Sequence, residues 1–167
     1  VVKIQGKVKE LIAEHRSGVF DTWLEQDKIS CLPNYALPAV ISPTAFTSMV
    51  PKSLYTAEED MNEYEFKVVW ALSALGNVKW WHRNISRLGF QINGPVHAYP
   101  DIIVLLNSGK VLMVETKGDH LDNDESKEKA KIGDQWAKLA GKQYKYYMVF
   151  ETKQPDYLGA YSMERFM

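Results

Sequence analysis

The chain has 167 residues, 46% of them hydrophobic, and a formal net charge of −1, which suits one domain with a sizeable core. No apolar run approaches the roughly 20 residues of a membrane span, and a net charge near zero excludes a uniformly basic nucleic-acid-coating surface, so any DNA or RNA contact must be local. A single cysteine, Cys31, excludes an internal disulfide and is compatible with a reducing cytoplasm.

The charged, amphipathic start VVKIQGKVKE is no signal peptide, and a first residue of Val reads as a piece of a longer polypeptide. Val8, Leu11, Ile12, His15, Val19 and Trp23 recur at helical spacing and predict a helix from about Lys7 to Lys28, covering one side of the core. Pro33, Pro38, Pro43 and Pro51 then exclude a long helix and a central strand. Residues 1–53 are therefore read as a helix plus a Pro-rich covering segment, or a connection to a missing upstream domain, and 54–167 as the core.

A second helix is predicted from near Thr56, where Thr-Ala-Glu-Glu resembles a capping box, to about Leu75, stopped by Gly76. Met61, Val68, Leu72 and Leu75 form one apolar stripe, with Glu65 inside it and Glu63 opposite. A carboxylate on a core-facing stripe is unusual. Glu65 either reaches water at the stripe's margin or serves a site.

Val78–Trp81 and Phe90–Ile92 read as strands, with Trp80 and Trp81 packing, and Asn93-Gly94-Pro95 marks a turn. A hairpin follows over residues 98–117. Beyond a polar loop, a third helix starts at an Asp124 or Ser126 cap, buries Ile132, Trp136, Leu139 and Ala140, and ends at Gly141. YKYYMVFET is another strand, joined to the hairpin by a strand-helix-strand crossover, right-handed by rule. The sketch is an α/β protein: a central mixed sheet flanked by helices.

The hairpin carries the chemistry. Asp101, Ile103 and Leu105 share one strand face; Val111, Met113, Glu115 and Lys117 share another. A two-residue Ser-Gly turn would set Asp101 opposite Thr116, on the wrong face. A three-residue Asn107-Ser108-Gly109 loop pairs Leu106 with Lys110 and brings Asp101 opposite Glu115, with Gly109 left-handed. We adopt the second register. Two like charges about 5 Å apart repel by roughly 3 kcal/mol at an effective dielectric near 20. Protonation of one acid, neutralisation by Lys117, or a bridging divalent cation would offset this. Two acid oxygens with open water positions suit Mg²⁺. With a lysine beside them, they suit metal-assisted phosphodiester hydrolysis, in which the metal polarises the phosphate and activates a water and Lys117 positions the nucleophile or stabilises developing charge.

The bare triplet arises by chance in about one chain in twenty of this size. Its placement sharpens it: an acid begins one strand, acid-x-Lys ends the next, and a helical Glu precedes both. Pro100-Asp101 followed by Glu115-Thr116-Lys117 resembles the PD-(D/E)xK nuclease superfamily. VKWWHRN (78–84), YPD (99–101), VETKG (114–118) and DQWA (134–137) further resemble the C-terminal endonuclease domain of the restriction subunit of type III restriction enzymes, over roughly Leu54 to Phe150. The resemblance implies a restriction-endonuclease-like mixed sheet flanked by helices and Mg²⁺-dependent cleavage of double-stranded DNA, with Mn²⁺ as a substitute. It implies Asp101 and Glu115 as metal-binding acids, the Thr116 carbonyl completing the metal shell, Lys117 as the catalytic lysine, and Glu65 as the helical acid, with Glu63 as fallback. It also implies an ATP-driven helicase-like motor in the same full-length protein and a methylating, sequence-reading subunit as partner. No phosphate-binding Gly-x-x-x-x-Gly-Lys-[Ser/Thr] loop exists in this chain, so ATP use and site recognition lie elsewhere.

His82, Arg83 and Asn84, His120, and Lys127, Lys129 and Lys131 are the candidate DNA contacts. The three lysines otherwise form a solvated helix face, and His120 a surface loop residue. No His or Cys pair has zinc spacing. The competing readings are a non-catalytic DNA-binding or assembly module on the same fold, and a related nuclease of a repair or mobile-element system.

Overall fold

A computed structural model describes residues 2–31, 33, 35–45 and 49–167. Among these, no helix is long and apolar enough to cross a membrane. The elements run α1 (Val2–Glu25), α2 (Glu63–Ala74), β1 (Val78–Arg83), β2 (Ile102–Leu106), β3 (Val111–Lys117), a 3-10 turn (Asp119–Leu121), α3 (Asp124–Ala140), β4 (Tyr144–Phe150), β5 (Ala160–Ser162) and α4 (Met163–Phe166). The sheet has five strands in the order β1-β2-β3-β4-β5. β1, β2 and β3 pair antiparallel; β3, β4 and β5 pair parallel. This is the expected α/β architecture, a mixed sheet flanked by helices, and it is compatible with a restriction-endonuclease-like fold.

Strand alternation divides the core in two. Ile103, Met113, Tyr146 and Met148 face α3, meeting Ala130, Ile132 and Trp136. Ile102, Val104, Leu112 and Val114 face α2, meeting Val68, Val69 and Leu72. The α2 stripe therefore buries as its periodicity indicates. Its start does not. Asn62 is the N-cap, in a reciprocal capping box with Glu65, and Thr56 lies in irregular backbone. Glu58 and Glu59, which would have continued a helix from Thr56, are drawn away by tertiary partners: Glu58 to His82 and Glu59 to Thr44.

Three other expectations change. Phe90–Ile92 is no strand: Ile92 makes only an isolated bridge to Ala98. The α3 cap is Asn123, whose side chain accepts from Ser126 N–H, one residue before the expected Asp124. And α1 does not cover the core, since Val8, Leu11, Ile12 and Trp23 remain about half exposed, at 47–51%. The α3 face is already filled by α3 itself. α1 touches it through its C-terminal half, where Asp21 pairs with Lys131.

The Pro-rich segment is irregular where it is described; positions 32, 34 and 46–48 lie outside the described residues. Its end joins the core before position 54. Val50 is buried, and Ser53 forms a parallel bridge with Trp81, covering the open edge of β1.

Candidate active site

The hairpin loop sets the register. Leu106 N–H donates to the Lys110 carbonyl at 2.8 Å, and Gly109 has φ 82°, the left-handed conformation a three-residue loop requires. Leu105 pairs with Val111 and Ile102 with Val114. One step further, that register sets Asp101 against Glu115. Asp101 itself lies just before β2, and its carboxylate reaches along β3: Oδ2 accepts from Thr116 N–H at 2.7 Å and Thr116 Oγ1 at 2.8 Å.

Glu115 is 3% exposed. Its Oε1 lies 2.7 Å from Lys117 Nζ, two residues on along the same face. Its Oε2 accepts the Tyr146 hydroxyl at 2.8 Å. Tyr146 stands on β4, beside β3 in parallel register. Of the three remedies for carboxylate repulsion, neutralisation by Lys117 is present, and Arg83 supplies a second. The Arg83 guanidinium donates to Glu65 Oε1 at 2.9 Å, to the Asp101 carbonyl at 3.0 Å and, more weakly, to Asp101 Oδ1 at 3.4 Å.

Glu65 is 6% exposed, so it does not reach water at the margin of its stripe, whereas Glu63 is exposed. Burial pushes the Glu65 carboxyl above its usual range; Arg83 opposes the shift and the charge of Asp101 adds to it. Glu65 comes from the α2 side of the sheet, and Glu115 lies on the α3 side with Tyr146. Arg83, at the end of β1, reaches around to Asp101 and so links Glu65 to the start of β2.

The candidate DNA contacts separate clearly. His82 is 3% exposed and its Nδ1 lies 2.9 Å from Glu58 Oε2, itself 2% exposed. Asn84 is 1% exposed, and its amide bonds the Phe90 N–H and carbonyl and the Pro100 carbonyl. Both side chains are enclosed, so neither faces a duplex. Asn84 instead ties the loop after β1 to the residue preceding Asp101. Arg83 is engaged with the acids. His120 is exposed, its ring lying over Gly118. Lys127 is about half exposed beside Asp124, and Lys131 pairs with Asp21.

Tyr146 was not among the sequence candidates. Its strand parity with Met148 and the glycine at 133 inside a helix were the available signals: a Cβ at Gly133 would overlap the Tyr146 ring. Burial and the charge of Glu115 hold the Tyr146 hydroxyl in its neutral, donating form, its pKa well above the usual value. For Glu58 no local signal existed.

Among the described residues, no group of three or more His, Cys, Asp or Glu side chains is arranged to hold a metal ion. The donors at the hairpin nevertheless fit Mg²⁺ in kind. Asp101 and Glu115 offer hard carboxylate oxygens from adjacent strands with the Thr116 main chain between them, and Mg²⁺ keeps several waters rather than demanding an all-protein cage. Three clefts of about 520 Å³ each lie elsewhere on the surface and include none of these residues. The acids lie at one end of the sheet, with Glu65 and Glu115 buried.

The fold and this cluster define an α/β protein with an acid-lysine centre at one end of its sheet. No family model matches the chain, and neither a curated protein nor a solved structure matches it.

Proposed function

We propose that the chain is a Mg²⁺-dependent endonuclease domain acting on double-stranded DNA, of the PD-(D/E)xK type, and the cleavage module of a type III restriction enzyme working in the cytoplasm. The observation that carries the reading is the placement of Asp101 against Glu115 at one end of the sheet, with Lys117 on Glu115 and Arg83 joining Asp101 to Glu65. The motif resemblance supports it. Asp101, Glu115 and the Thr116 carbonyl would hold the metal, with Mn²⁺ as a substitute. When bound, the metal supplies charge neutralisation at the phosphate and activation of water. Lys117, 2.7 Å from Glu115, orients the nucleophile or takes up charge developing on the phosphate. Tyr146 and Thr116 hold the two acids in position by hydrogen bonds. Arg83 keeps Glu65 and Asp101 together. ATP, a helicase-like motor and a methyltransferase subunit enter through the rest of such an enzyme.

One observation favours a second reading, a non-catalytic DNA-binding or assembly module. Every carboxylate oxygen of Asp101 and Glu115 already has a protein partner. Mg²⁺-dependent nicking or cutting of duplex DNA separates the two. Asp101→Ala and Lys117→Ala, each in folded protein, should abolish cutting. Activity retained in both would sink the mechanism, and its absence from the complete assembly would favour the module.

A further inference from the structure

The N-terminal half of α3 carries an ion pair whose burial is the reverse of its neighbour's. Lys129 Nζ lies 2.8 Å from Glu125; the lysine side chain is 20% exposed and the acid 67%. Just after Gly133, Asp134 and Lys138 form the same i,i+4 spacing, but there the acid is the sheltered member, at 21%, and the lysine stands out at 59%. A pair that merely braces a helix has no reason to draw its lysine inward. The position explains it. Gly133 lets α3 settle onto the Tyr146 ring, and the Tyr146 hydroxyl reaches Glu115. Lys129 is one turn nearer the helix start on the same face, toward the end of β3 where Glu115 and Lys117 stand. The charges of these groups are felt across the gap. Burial works against the Lys129 ammonium, but Glu125, Glu115 and Asp101 together raise its pKa, and Lys117 helps hold Glu125 ionised.

We infer that Lys129 is a substrate-binding residue, taking a backbone phosphate of the duplex beside the scissile one, and that Glu125 occupies its ammonium until DNA arrives. This rests on the nuclease reading above. Glu125 is exposed and at the rim, so it can swing into water when a phosphate oxygen replaces its carboxylate. Lys129 is half-buried and stays, because its stem is sheltered along the helix face while its head is held at the rim by Glu125.

The test is equilibrium binding of a fluorescent duplex in EDTA over a range of salt, with metal-dependent cutting measured in parallel. Lys129→Gln should weaken binding by about tenfold and lower the salt slope by about one. Glu125→Gln, which removes the competitor, should tighten binding by about threefold. Lys138→Gln and Asp134→Asn serve as the helix-pair controls. Loss of any lysine weakens and loss of any acid tightens duplex binding through net charge alone, so the size of each shift against Lys138→Gln and Asp134→Asn, not its sign, distinguishes a phosphate contact from a helix brace. If Lys129→Gln and Glu125→Gln shift binding in the same direction, or neither exceeds its control, the inference is overturned. Glu125 is exposed, so its arm stands even if Lys129→Gln folds poorly. A parent chain that binds and cuts DNA while the pair behaves as a brace overturns this inference alone. A complete assembly that neither binds nor cuts overturns the nuclease reading itself.

Discussion

Arg83 donates to Glu65 at 2.9 Å and, by the same guanidinium, holds Asp101. One cation thus joins a helix on one side of the sheet to the acid at the start of β2. Removing one partner of a largely buried pair leaves an uncompensated charge. Arg83→Ala should destabilise the fold by about 3 kcal/mol, read from urea unfolding. Arg83→Lys should recover only part of this, because an ammonium cannot fork between two carboxylates as a guanidinium does. Equal stability of parent and Arg83→Ala would show the bridge to be solvated.

Gly133 and Tyr146 form a second coupled pair. An Ala in a helix interior normally gains about 1 kcal/mol over Gly. At 133 the added methyl would meet the Tyr146 ring, so Gly133→Ala should instead lose about 1–3 kcal/mol by overpacking. Tyr146→Phe keeps the ring but deprives buried Glu115 of a donor, costing about 1–2 kcal/mol. Thermal melts of the two variants give the signs directly; a stabilised Gly133→Ala would contradict the close approach.

The start of α2 can be located by substitution. Asn62→Ala removes the side chain that accepts Glu65 N–H and should cost about 1 kcal/mol. Thr56→Ala, at an exposed residue outside the helix, should stay within about 0.5 kcal/mol. The reverse ranking in chemical denaturation would return the helix start to Thr56.

Two acids should tilt the acid limb of stability in opposite directions. The Thr152 hydroxyl, with the Thr152 and Lys153 amides, holds Asp119 below the ordinary aspartate value of 3.8. Its contribution is therefore present above that value and lost as pH falls through the lower folded one. Glu65 is raised above the ordinary 4.5, so its protonation favours folding and that contribution is lost as pH rises through the raised value. Asp119→Asn should flatten the loss of stability in acid, and Glu65→Gln should steepen it. Unfolding free energies at closely spaced pH values below neutrality check both signs.

Much of the fold was legible because its determinants are local. The apolar stripe of α2 repeats within four residues, and the Asn107-Ser108-Gly109 loop needs one left-handed residue, which Gly109 supplies at no steric cost. From that loop alone the register placing Asp101 against Glu115 follows, and with it the core of the proposed site. The helix start at Asn62, by contrast, was misplaced. Thr56-Ala57-Glu58-Glu59 has the local pattern of a cap, and only partners distant in sequence, His82 and Thr44, take its two acids away.

The sequence by itself thus determined the period of each major element, the hairpin register and the candidate acids, because these depend on neighbours a few residues apart. Only the tertiary structure decided which side chains those acids meet. The parallel pairing of β3 with β4 across α3 brings Tyr146 to Glu115, 31 residues away, and the end of β1 brings Arg83 to Glu65 and Asp101, 18 residues from each. The same folding turned His82 and Asn84 inward. Such partnerships depend on strand order and on contacts between distant segments, and neither is written in the spacing of residues along one segment.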